Sequence, residues 1–104
     1  RTPTPIPLLL SPHFPNPDPA GAGGLWLPYT LSIPAKVTFH VFDIAGELVR
    51  HLDAGVQGAG NHEQHWDLYN DNGHPVASGV YLCRVTAQAK GQERMVWEKC
   101  SVLR

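Results

Sequence analysis

Proline placement constrains this chain more than any other feature. Seven of its ten prolines, Pro3, Pro5, Pro7, Pro12, Pro15, Pro17 and Pro19, fall before residue 20. Each locks φ and pushes its predecessor towards extended geometry. Thr2 to Pro7 is therefore predicted to be stiff, extended and without internal hydrogen bonds. Ala20-Gly21-Ala22-Gly23-Gly24 reads as a flexible loop. Residues 1–24 thus form a Pro/Gly-rich arm or linker, and residues 25–104 form the domain. Leu8-Leu9-Leu10 fits a solvated tether poorly. They could cover the sandwich edge or pack on a neighbour. With Ile6 they are the candidate partner contacts. Residues 1–12 are expected to stay out of their own domain's core, disordered or bound to another chain. An extended arm of about 20 residues would reach roughly 60 Å, enough to span a neighbouring subunit.

Beyond the arm the hydrophobic pattern has a period of two, not 3.6. Leu25, Leu27, Tyr29, Leu31 and Ile33 share one face of the first segment, and Pro28 within it suggests an edge strand. Lys36 to Phe42 alternates with Val37, Phe39 and Val41 on the buried side. Asp43 to Gly46 turns the chain, and Glu47 to Leu52 returns. Gly55, Gly58 and Gly60 read as loop punctuation. Further strands are predicted at Asn61 to Asp67, Val80 to Gln88 and Gln92 to Leu103, with tight turns at Tyr69 to Gly73 and Lys90-Gly91. Six or seven short strands without a helical period predict an all-β, immunoglobulin/fibronectin-III-like antiparallel sandwich of about seven strands. Its core is expected to hold Val37, Phe39, Val41, Trp66, Tyr81 and Val85.

Composition narrows the function classes. The 104 residues, 11.4 kDa, amount to one domain. With a net charge of −1 and eight scattered basic residues, the chain offers no phosphate-binding footprint. No stretch approaches the ~20 apolar residues of a membrane helix, so no membrane insertion is expected. A chain that begins at Arg1 is expected to be a processed product or a piece of something longer.

The motifs carry architecture rather than chemistry. In His62-Glu63-Gln64-His65 the two histidines point to opposite faces of a strand, which disfavours a shared metal. In the run Asp67, Asn70, Asp71, Asn72, Gly73, Tyr69 interrupts the alternation of oxygen ligands that calcium requires. Ser78 lies in no nucleophile elbow, and Gly21 to Gly24 precedes a strand rather than a helix. No enzyme activity, cofactor or metal is expected. Trp26, Trp66 and Trp97 could form a sugar-binding surface, although aromatics in a small sandwich are more often core or rim.

Several stretches together resemble a known family. They are Phe14-Pro15-Asn16-Pro17, then Val37 to Val49 (VTFHVFDIAGELV), then Trp66-Asp67, and then Asn72 to Tyr81 (NGHPVASGVY). The chain is similar, over about residues 13–104, to the immunoglobulin-like domain of flagellar hook-capping proteins and to C-terminal sorting domains of type IX secretion. The resemblance implies a structural module of an exported or cell-surface bacterial protein, acting as a sorting and attachment domain or an assembly building block. Its partners would be proteins, copies of itself or the rest of a larger chain. Two other readings stay open: a self-assembling filament or surface-layer subunit that uses its arm, and a glycan-binding or adhesin module.

Cys83 and Cys100 stand where the family usually has an aromatic and a large aliphatic residue. With a hairpin loop of about four residues near Lys90-Gly91, they would fall opposite each other. A disulfide is then expected, and with it an oxidising compartment.

Overall fold

A computed structural model describes residues 6–14 and 24–103. Thr2 to Pro5, the prolines at 15, 17 and 19 and most of the glycine loop lie outside the described residues. Seven strands run in chain order: β1 (Leu10–Pro12), β2 (Leu25–Leu31), β3 (Ala35–Phe42), β4 (Leu48–Gln57), β5 (Gly60–Trp66), β6 (Gly79–Ala89) and β7 (Gln92–Val102). They form two antiparallel sheets, β1-β2-β5 and β4-β3-β6-β7. The fold is the all-β sandwich that the alternation predicted.

The apolar faces meet between the sheets. Leu25, Leu27, Tyr29 and Leu31 of β2 pack with Val37, Phe39 and Val41 of β3 and with Tyr81 and Val85 of β6, all buried. Two edge-on ring pairs join the layers, Tyr29 with Phe39 at 5.4 Å and Trp66 with Tyr81 at 5.7 Å between centroids. This offset geometry adds to plain area burial. The Tyr81 hydroxyl donates to the Ala77 carbonyl at 2.7 Å, and Trp66 Nε1 donates to the Tyr69 carbonyl at 3.0 Å. The polar tips of Trp66 and Tyr81 are thereby satisfied.

The turns are held by side chains that accept from nearby amides. Asp43 Oδ1 accepts from Ala45 N and Glu47 N, and Asn70 Oδ1 accepts from Asn72 N and His74 N. Asp67 Oδ1 accepts from Tyr69 N. Such Asx bonds offer the backbone an alternative to strand pairing, and these three residues lie in the connections between strands.

Three expectations are corrected. The arm does not stay clear of its own core. Leu8 and Leu10 are buried, and β1 pairs with β2 through Leu10↔Leu31 and Ser11↔Thr30. Gln92 clamps the segment, its Oε1 accepting from Leu8 N at 2.8 Å and its Nε2 donating to the Ile6 carbonyl. Burying two leucines offsets the ordering of a backbone that the prolines had already restricted.

Pro28 does not mark an edge strand, because β2 is the centre of its sheet. Its carbonyl accepts from His13 N at 3.1 Å, one residue past the end of β1. A residue's N and C=O face the same side of a strand, so the missing donor points to where β1 has run out.

The glycine-punctuated loop is mostly strand. β4 continues to Gln57 by taking a bulge between Asp53 and Gly55, whose φ is 71°. Glycine adopts that conformation without a Cβ penalty, so the ladder resumes instead of ending.

Candidate functional site

The sequence-predicted site residues divide between core and surface. Of the four arm residues, Leu8 and Leu10 are core, while Ile6 and Leu9 are exposed. The arm therefore keeps two apolar side chains for outside contact, not four.

The cysteines are not opposed. Cys83 pairs with Glu98 and Cys100 with Tyr81, because the loop is the two residues Lys90-Gly91 rather than four. The two residues are diagonal neighbours on the inward face, and both are buried and unbridged, not the expected disulfide. Burial, then the nearby Cys100 and Glu98, push the Cys83 thiol far above its ordinary range. A thiol held protonated in this way is a poor nucleophile and a poor metal ligand.

His62 opposes Tyr29 on the inner side of β5, and His65 opposes Trp26 on the outer side. The two histidines cannot share an ion. The three tryptophans also separate. Trp66 is core, Trp26 lies on the outer face of one sheet, and Trp97 lies on the outer face of the other. They form no common platform for a sugar.

A polar groove of about 520 Å³ lies between the turn after β3 and the loop before β6, lined by Asp43, Glu47, Asp71, Asn72, Pro75 and Tyr81 among others. Its two aspartates are already engaged. Asp43 caps the turn, while Asp71 Oδ1 accepts from His51 N at 3.1 Å and lies 3.8 Å from Arg50 Nε. Arg50 also reaches Asp67 at 3.6 Å, tying β4 to this loop.

The feature that strand-by-strand reading missed is the outer face of β4-β3-β6-β7. One rung runs straight across four strands as His51, His40, Arg84 and Trp97. The next rung carries Leu48, Phe42, Leu82 and Lys99. The Arg84 guanidinium sits 5.4 Å from the Phe42 ring centre and 5.7 Å from that of Trp97, and the two rings are 5.5 Å apart. The His40 and His51 rings are 4.8 Å apart. Burial, then Arg84, then His51, hold His40 below its ordinary pKa, with Asp71 opposing. Among the described residues, Nδ1 of His40 and Nε of Arg84 have no hydrogen-bond partner. Met95 and Trp97 remain about half exposed, at 50% and 49%. An aromatic and arginine surface of this kind has the composition of protein contact sites. The signal was present in sequence: β6 and β7 carry large apolar residues on both faces, at Val80, Leu82, Met95 and Trp97.

The comparisons agree with this architecture. The family model for the FlgD Ig-like domain matches residues 20–92. The chain belongs to that family. FlgD from P. aeruginosa is similar at 21% identity and a TM-score of 0.65, over 73% of this chain and 60% of that one. Dimeric latent PorU from Porphyromonas gingivalis is similar at 21% identity and a TM-score of 0.69, over 94% of this chain. PorZ, a bacterial surface component of the type IX secretion system of the same organism, is similar at 19% identity and a TM-score of 0.53, over 93% of this chain. This Ig-like domain spans 10% of the PorU chain and 11% of the PorZ chain. At these identities the likeness is one of fold. None of the curated proteins matches the chain.

Proposed function

We propose that this FlgD-type Ig-like domain is a non-enzymatic structural module of an exported or cell-surface bacterial protein, serving as a terminal sorting and attachment domain. The observation that carries the reading is its likeness, over nearly its whole length, to a tenth of two large chains, one of them a surface component of type IX secretion. Its own chemistry supports the same reading. The polar side chains of its turns are used as backbone caps, its thiols are buried, and its outer sheet face is built for protein contact.

Fusing residues 1–104 to the C-terminus of a periplasmic reporter, in a bacterium with type IX secretion, tests the proposal. The reporter should appear at the cell surface, and it should stay in the periplasm when the secretion system is deleted. A folded fusion that remains periplasmic in both strains would overturn the sorting role.

A further inference from the structure

β7 is the outermost strand of its sheet among the described residues, and no proline, glycine or bulge interrupts it. It runs for eleven residues in unbroken register with β6, without Pro or Gly. The edge at the other end of the same sheet, β4, is broken by two register shifts. A long flat edge offers unpaired amides and carbonyls to another strand.

Charges on an edge strand normally prevent such pairing. Here their order does the opposite. Reading outward from Val96, Met95 mirrors Trp97, Arg94 mirrors Glu98, and Glu93 mirrors Lys99. The charges are antisymmetric about one residue. A second copy of β7, antiparallel and related by a two-fold axis at Val96, would therefore oppose each charge with its complement. Arg94 would face Glu98 of the second copy on the inner side, and Glu93 would face Lys99 on the outer side. Met95 and Trp97, each about half exposed, would cover one another, a favourable sulfur–aromatic contact.

Neighbouring registers fail. Pairing must move in steps that keep inner side chains opposite inner ones, because the side-chain period is two. Centring on Met95 sets Glu93 against Trp97. Centring on Trp97 sets Glu98 against Val96 and Lys99 against Met95. The Val96 register pairs all four charges with opposite sign. Of the arm, β1 comes close to β7 from the other sheet, Gln92 holds Ile6 and Leu8 at the hairpin end, and Arg94 stays exposed.

We infer that two copies of this domain associate through β7, centred on Val96, to form one continuous eight-stranded sheet. The inference concerns the domain by itself and is independent of its role in sorting. An isologous contact of this kind closes on itself and stops at a dimer.

Sedimentation of residues 1–104 should show a concentration-dependent dimer. Arg94→Glu alone and Glu98→Arg alone should each weaken dimerisation by about tenfold or more, since like charges then face each other. Mixed together, the two weakened variants should form a one-to-one heterodimer. One variant is then acidic at both positions 94 and 98 and the other basic at both, so every facing pair between them is of opposite sign. The charge-swapped double variant should dimerise like the parent. Residues 94 and 98 are too far apart along one strand to pair within a copy, so this rescue reports contact between copies. The inference is overturned if the parent chain sediments as a monomer at every concentration. It is also overturned if the folded single variants fail to combine.

Discussion

At the scale of single residues, the polar groups of the core are the most informative. Tyr81 closes its hydroxyl onto Ala77, four residues back, at the mouth of β6. Tyr81→Phe keeps the ring contact with Trp66 and removes this bond, so unfolding free energy should fall by about 0.5–1.5 kcal/mol in chemical denaturation. Leu68 is the residue other than glycine with positive φ among those described, at 67°. It is buried, and its carbonyl accepts from Val76 N at 2.9 Å, so packing holds a conformation that leucine rarely adopts. The two thiols give a second check. Native protein should alkylate slowly, because both cysteines are buried and burial keeps Cys83 protonated. After unfolding without reductant, mass spectrometry should find two alkylated thiols. Finding none would restore the disulfide.

At the scale of elements, β1 is three residues long, yet it carries a large share of the correction to the sequence reading. Leu8 and Leu10 fill the open side of the sandwich beside β7 and β2. Leu8→Ala should cost about 2–5 kcal/mol, as for other fully buried leucines. Deleting residues 1–12 should lower Tm by many degrees, whereas a free tether could be removed with little change. Thermal unfolding of the truncated chain decides between them. The Gly55 bulge makes a parallel case. Gly55→Val places a β-branched side chain at positive φ and should destabilise the chain by about 1–3 kcal/mol.

At the scale of the whole molecule, the outer sheet face links stability to pH. Burial, Arg84 and His51 favour neutral His40 in the fold, and Asp71 opposes them weakly. The folded value lies below the ordinary 6.5, so the unfolded chain binds more protons in the window just beneath it. Stability should therefore fall as pH drops through that window. Comparing Tm at about pH 7.5 and about pH 5 should show the loss. His40→Gln should flatten part of the slope, and an unchanged slope would show that His40 does not report on folding. Trp97 belongs both to this face and to the β7 edge.

Period-two alternation was enough to identify six of the seven strands, β2 to β7, the buried sides of β2 and β3, and six core residues, because the side-chain direction of a strand is set locally. Asx residues with Gly46 and Gly73 placed the turns after β3 and before β6, whereas the stretch from Gly55 to Gly60 is mostly strand and not the loop its glycines suggested. Three properties required the tertiary structure. Leu8-Leu9-Leu10 has no period of its own, so whether it covers its own core or a neighbour's depends on the gap left beside β2 and β7. The hairpin register depends on whether the turn takes two residues or four, and a slip of two leaves the alternation unchanged while moving Cys100 from Cys83 to Tyr81. The rung of His51, His40, Arg84 and Trp97 is assembled from two hairpins, β3-β4 and β6-β7, that are distant in sequence. Only their pairing in one sheet brings the rings and the guanidinium together.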